Sequence, residues 1–140
     1  MEIKENAFYS FNNLEYLEIS QTSLNEFKVR FQNSKSKKKL VISLKNNSFL
    51  KDFNPNTFGT INRSVEIILG SNALYHGINY LDENVFEPII LKNHQNIINL
   101  NNFPLNCSNC RNKWLLKYNC LDNFPIFFCR HISAHILSFK

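Results

Sequence analysis

Apolar residues recur at alternate positions in short stretches along this chain. The alternating pairs are Leu17 with Ile19, Ile42 with Leu44, Ile67 with Leu69, and Ile98 with Leu100. The first three pairs are spaced by twenty-five residues, and the fourth follows after thirty-one. Because side chains two residues apart in a strand point the same way, each pair predicts a short strand with one face in a core.

Polar residues keep the same spacing behind these pairs. Thr22, Asn47 and Asn72 occupy equivalent positions in the first three stretches. We expect Asn47 and Asn72 to be buried and to hydrogen-bond the backbone of adjoining turns, at about 1 kcal/mol net for each bond. The hydroxyl of Thr22 can make some of the same hydrogen bonds. Later apolar anchors complete the pattern. They are Phe27 and Phe31, then Phe53 and Phe58, then Leu81 and Phe86.

A fixed period of this length predicts a repeat architecture in which successive turns stack on each other. The expected fold class is α/β, a solenoid with short parallel strands on its concave face and loops and short helices on its convex face. Residues 1–105 would hold about four repeats, the first incomplete, because residues 3–8 echo residues 81–86. Residues 106–140 would close the C-terminal end as a cap.

The cap segment contains all four cysteines of the chain, Cys107, Cys110, Cys120 and Cys129. A short segment that covers an apolar end has little core of its own, and disulfides would stabilise it by about 2 to 4 kcal/mol each. Four cysteines allow three pairings, and the sequence leaves the choice open. We expect Trp114, Leu115 and Tyr118 to form a helical face that packs on the last turn.

A zinc site is the alternative for this segment. Its candidate ligands are Cys107, Cys110, Cys120, Cys129, His131 and His135. The second cysteine pair is nine positions apart, unlike the close pairs of zinc sites, and the aromatic and leucine residues between the cysteines favour packing. We therefore expect no metal, and keep an intracellular zinc-dependent binding protein as an alternative function.

Residues 100–116, LNNFPLNCSNCRNKWLL, resemble the C-terminal flanking cap of extracellular leucine-rich repeat proteins. That cap has the pattern N-P-L-x-C-x-C followed by W-L; here Phe103 replaces the asparagine and two residues separate Cys107 from Cys110. Residues 81–89 are similar to arthropod proteins related to the non-catalytic, leucine-rich subunit of the oplophorus luciferase. The resemblance implies a secreted, disulfide-bonded protein without enzymatic activity.

Composition agrees with a folded chain that does not span a membrane. Apolar residues make up 44% and charged residues 19% of the 140 residues, and polar residues interrupt every long apolar stretch. The first six residues lack the apolar core of a secretory signal, so the expected secretion is not supported by a signal peptide here. Three N-x-S sequons, at Asn46, Asn62 and Asn106, are candidate glycosylation sites.

The net charge is +5, and the basic residues are spread along the chain except for one run, Lys35-Ser36-Lys37-Lys38-Lys39. Such a run suits phosphate, heparin or an anionic lipid surface, but a solvated loop is the more common arrangement. We expect the loop and predict no nucleic-acid partner.

No set of residues indicates catalysis. The histidines His76, His94, His131 and His135 are scattered, and three glycines form no phosphate-binding loop, so we predict neither an enzyme nor a cofactor. Stacked repeats instead make a continuous sheet that suits a protein partner. The predicted binding residues are Tyr16, Glu18, Val41, Ser43, Lys45, Glu66, Ile68, Ile97 and Asn99.

A structural role is the second hypothesis. The first turn has no recognisable cap, and the ends of repeat arrays normally need one. The chain would then be the C-terminal fragment of a longer repeat protein, binding nothing through its sheet, or would self-associate through the uncapped N-terminal edge.

Overall fold

The computed structural model describes residues 1–32, 34–70, 80–100 and 109–118. The elements are β1 (Tyr16–Glu18), β2 (Glu26–Phe27), β3 (Leu40–Ser43), β4 (Asp52–Phe53), β5 (Val65–Ile68), α1 (Glu83–Lys92), β6 (Ile97–Asn99) and a 3-10 helix (Cys110–Tyr118). Short strands thus dominate, with few helices, and the class is mixed α/β.

Four of the strands form one parallel sheet in the order β1-β3-β5-β6. Leu17 is paired with Ile42, Ile42 with Ile67, and Ile67 with Ile98, so the apolar pairs of the sequence lie in register. Each strand lies beside the strand one period later along the chain. The predicted strands and their parallel alignment are confirmed.

A second, two-stranded parallel sheet joins β2 to β4, with Phe27 opposite Phe53. Phenyl rings continue from this sheet through successive turns: Phe27 and Phe58 stack with centroids 6.1 Å apart, and Phe53 meets Phe86 edge-on at 5.2 Å. Most of these rings and the inward side chains of the large sheet belong to one core cluster, and Phe53 is half buried and packs against it. The other later apolar anchors of the sequence are core residues.

Asn47 joins neighbouring turns as predicted. Its side chain is fully buried; Oδ1 accepts hydrogen bonds from Thr22 N at 3.1 Å and Thr22 Oγ1 at 2.6 Å, and Nδ2 donates to Ile19 O at 2.6 Å and Leu44 O at 2.9 Å. One amide thus satisfies backbone groups in two turns. Asn72 lies outside the described residues.

Three further polar side chains connect turns in ways that the sequence pattern did not indicate. The buried Arg63 donates to Lys38 O at 3.1 Å and to Leu14 O, so it spans two earlier turns. Burial lowers the pKa of its guanidinium below the ordinary value, and the nearby charge of Glu15 opposes this only in part. Asn96 Oδ1 accepts from Val65 N at 2.9 Å, and Thr60 Oγ1 donates to Phe31 O at 2.7 Å.

The longest turn, between β5 and β6, contains α1. Asp82 is its N-cap and accepts a hydrogen bond from Asn84 N at 2.9 Å, which satisfies one of the free amides of the first turn. The helix buries its apolar face on the core. The buried residues are Val85, Phe86, Ile89 and Ile90. The six extra residues of this repeat thus accommodate a helix in place of a loop.

The 3-10 helix packs on the final turns. Trp114 Nε1 donates to Leu81 O at 2.8 Å, Asn112 Oδ1 accepts from Leu81 N at 2.9 Å, and Trp114 and Leu115 are buried. The predicted packing of these two apolar residues is confirmed. Of the cysteines, only Cys110 is among the described residues, and its thiol is exposed. Cys107, Cys120 and Cys129 lie outside them, so the disulfides remain a prediction.

Candidate functional site

The parallel register arranges the outward side chains of the large sheet in two rows. One row is Tyr16, Val41, Glu66 and Ile97, and the other is Glu18, Ser43, Ile68 and Asn99. We call these eight residues the outward face. Lys45 lies two residues after the end of β3, at the margin of the outward face. All nine residues predicted for binding are thus brought together on one side of one sheet.

Three apolar residues of the outward face are only half buried, and Glu66 lies between two of them in the first row. Val41, Ile68 and Ile97 are each partly exposed, although they alternate with inward residues that are fully covered. Tyr16, at the β1 end, has 53% of its surface exposed. The face therefore retains apolar area that a second molecule could cover.

Glu18 is the centre of a polar cluster at the β1 end of the outward face. Its Oε2 accepts from the Tyr16 phenol at 2.5 Å, its Oε1 accepts from Ser20 Oγ at 3.0 Å, and Lys45 Nζ lies 3.6 Å from Oε1. The hydrogen bond from Tyr16, then that from Ser20, hold the pKa of the Glu18 carboxyl below its ordinary value. The same bond raises the pKa of Tyr16, with desolvation and the Glu18 charge adding to it.

Ser43, between Glu18 and Ile68, is fully buried, unlike its neighbours in the row. Its Oγ has no hydrogen-bond partner among the described residues. The Ser43 hydroxyl is close enough to Tyr16 to lower the phenol pKa slightly against the larger effect of Glu18, but its geometry falls short of a hydrogen bond. It is therefore an unsatisfied polar group within the outward face.

Further polar contacts are made by Glu66 within the outward face and by Glu15 beside β1. Glu66 Oε1 accepts from Asn99 Nδ2 at 3.5 Å, and its Oε2 lies 3.6 Å from Lys39 Nζ. Lys38 pairs with Glu15 at 2.8 Å. Two of the four lysines of the basic run thus neutralise carboxylates near the sheet. The Lys38–Glu15 pair is exposed and the Lys39–Glu66 pair is partly exposed, and each contributes about 0 to 1 kcal/mol.

The Tyr16 phenol is expected to ionise above the ordinary tyrosine pKa of about 10. Because the folded-state pKa of Tyr16 is raised, the protonated phenol stabilises the folded chain at pH values below the ordinary tyrosine pKa. That stabilisation is lost as pH rises through the folded-state pKa. Spectrophotometric titration of phenolate, with the Tyr16→Phe curve subtracted, measures the midpoint. Glu18→Gln should lower it.

Glu66→Gln is the matched control for this titration, because Glu66 pairs with Lys39 and has no bond to Tyr16. It should leave the Tyr16 midpoint in place. Equal midpoints in the native chain and in Glu18→Gln would show that the Tyr16–Glu18 bond does not persist in solution.

The candidate glycosylation sites differ in their surroundings. Asn46 is exposed and has a left-handed backbone with φ of 60°. The Asn62 amide bonds the backbone of Ser34 twice, accepting from its N at 3.2 Å and donating to its O at 3.3 Å. A glycan on Asn62 Nδ2 would compete with the second of these bonds. Asn106 lies outside the described residues.

In the described ranges, no three His, Cys, Asp or Glu side chains are grouped so that they could hold a metal ion. His94 is exposed there, while His76, His131 and His135 lie outside these ranges. The zinc hypothesis therefore depends on residues beyond the described part of the chain.

No protein-family model, curated protein or solved structure matches the chain. Within the described ranges, no helix combines the length and apolar character needed to cross a bilayer.

Proposed function

We propose that this chain is a leucine-rich repeat protein that binds another protein through the outward face of its sheet. The observation that carries the proposal is the register, which places the half-buried Val41, Ile68 and Ile97 around Glu66 on one side of the sheet. Interfaces commonly combine such apolar contacts with polar groups.

The wider architecture is part of the same proposal. The chain is a solenoid whose cysteine-containing segment is a disulfide-bonded C-terminal cap, as in extracellular leucine-rich repeat proteins, and it acts outside the cell without catalysis or a cofactor. The buried Trp114 and its bond to Leu81 support a capping role for residues 110–118. Glycans, where present, would be best accommodated at the exposed Asn46.

Ile68→Glu tests the proposal because it replaces an apolar residue of the outward face, on the central strand β5, with a charged one. The side chain is only half buried, so the variant should fold, which circular dichroism and thermal unfolding can verify. Binding should fall at least tenfold, since an unpaired charge would be desolvated at the interface. The measurement is quantitative affinity capture with the native and variant chains as bait.

Leu91→Glu is the matched control, because it introduces the same charge at a residue of α1 that is 64% exposed and outside the sheet. A genuine partner is retained by the native chain and by Leu91→Glu and lost from Ile68→Glu. A partner retained equally by all three chains would exclude the outward face as the binding surface.

A further inference from the structure

The outer edge of β1 has backbone groups available for pairing. Val41 N donates to Glu15 O at 2.9 Å, and Ile19 N donates to Ser43 O at 2.9 Å, so alternate residues of this segment turn their backbone towards β3. The residues between them, Tyr16 and Glu18, therefore turn their N–H and C=O groups to the opposite edge. Of the described strands, none pairs with that edge.

The core is less well covered at this edge than elsewhere in the sheet. Leu17 has 9% of its surface exposed, whereas its equivalents Ile42, Ile67 and Ile98 have none. Ile19 is likewise half buried, whereas its equivalent Leu44 is fully covered. An added strand would cover this apolar surface and satisfy the edge at once.

The sequence of β1, Tyr16-Leu17-Glu18, is complementary to itself in the antiparallel direction. A two-fold axis perpendicular to the sheet would place Leu17 of one copy opposite Leu17 of another. Tyr16 of each copy would then lie opposite Glu18 of the other, as a hydrogen-bonded pair with Cα atoms about 5.5 Å apart. The attraction between these side chains already exists within one chain, where phenol and carboxylate are 2.5 Å apart.

Charge does not oppose this contact. The acidic residues at this end already have cationic partners: Glu5 is 2.6 Å from Arg30, Glu15 is 2.8 Å from Lys38, and Glu18 is 3.6 Å from Lys45. Two such edges can therefore approach with little net repulsion.

We infer that a second copy of this chain pairs with the outer edge of β1, antiparallel and centred on Leu17, so that one sheet runs through both copies. The paired edge does not include Val41, Ile68 or Ile97. The outward face therefore stays uncovered, on the same side of both copies. This inference goes beyond the proposed function and is tested independently of it.

Two measurements on the native chain test the inference. Sedimentation velocity over a range of concentrations should show a monomer–dimer equilibrium. Hydrogen–deuterium exchange should show the amides of Tyr16 and Glu18 becoming protected as concentration rises, while Val41 N–H, which already bonds Glu15, stays equally protected. A monomer at all concentrations, or protection of Tyr16 and Glu18 that does not change with concentration, would overturn the inference.

Glu18→Pro and Glu18→Ala separate the backbone edge from the side chain. Proline removes an N–H that points away from β3, so it should cost no bond within the chain, as is usual for proline at a sheet edge. It removes two hydrogen bonds from each dimer, at about fivefold each, so the dimer should weaken about twenty-five-fold. Glu18→Ala keeps the N–H and should weaken the dimer much less.

Ile68→Glu should leave the dimer intact, which distinguishes this inference from the proposed function. A dimer that Glu18→Pro weakens no more than Glu18→Ala would show association through another surface and refute the edge pairing.

Discussion

Asn47→Ala is expected to lower the free energy of unfolding by about 3 to 5 kcal/mol. The substitution removes an amide that is fully buried and bonds Thr22, Ile19 and Leu44. Each backbone group left without a partner costs about 1 to 3 kcal/mol when it stays buried. Equilibrium denaturation in urea, with the slope checked for unchanged two-state behaviour, measures the loss.

Asn25→Ala is the control for this experiment, because it makes the same chemical change at an exposed side chain. It should alter the free energy of unfolding by less than about 0.5 kcal/mol. If Asn47→Ala lost as little as the control, the asparagine would not be what joins the turns.

Phe86→Ala should destabilise the chain by a similar amount, about 3 to 5 kcal/mol. Phe86 is 1% exposed, and its ring meets Phe53 edge-on at 5.2 Å and Phe58 at 6.1 Å. Removing it leaves a cavity between α1 and the preceding turn. Thermal and urea unfolding of the purified variant give the change in stability.

Phe49→Ala tests whether ring removal alone explains such a loss. Phe49 is 49% exposed and makes none of the ring contacts of the core. Its replacement should cost less than about 1 kcal/mol. Comparable losses in both variants would contradict the assignment of Phe86 to the core.

The proposed edge pairing and the proposed partner binding use different groups of β1. Tyr16 and Glu18 belong to both surfaces, because their side chains lie on the outward face while their backbone groups lie along the edge. Ile68 and Ile97 belong to the outward face alone. Substitutions at Ile68 and at Glu18 therefore separate partner binding from self-association.

The repeat spacing alone determined the large sheet and much of its core. The first three inward pairs recur at an interval of twenty-five residues, and equal intervals align equivalent residues in neighbouring parallel strands. The same spacing placed Asn47 beside Thr22 and collected the nine predicted binding residues on one side of the sheet. These are periodic features, and a period is visible in a sequence.

Tertiary structure decided the features that break the period. Arg63 resembles any surface arginine in the sequence, yet it is buried because carbonyl groups of Leu14 and Lys38, forty-nine and twenty-five residues earlier, converge on its guanidinium. Ser43 is covered although its row is outward, and the Asn62 amide is bonded to Ser34. Such arrangements depend on which backbone groups meet across turns, and contacts at that separation leave no local pattern in the chain.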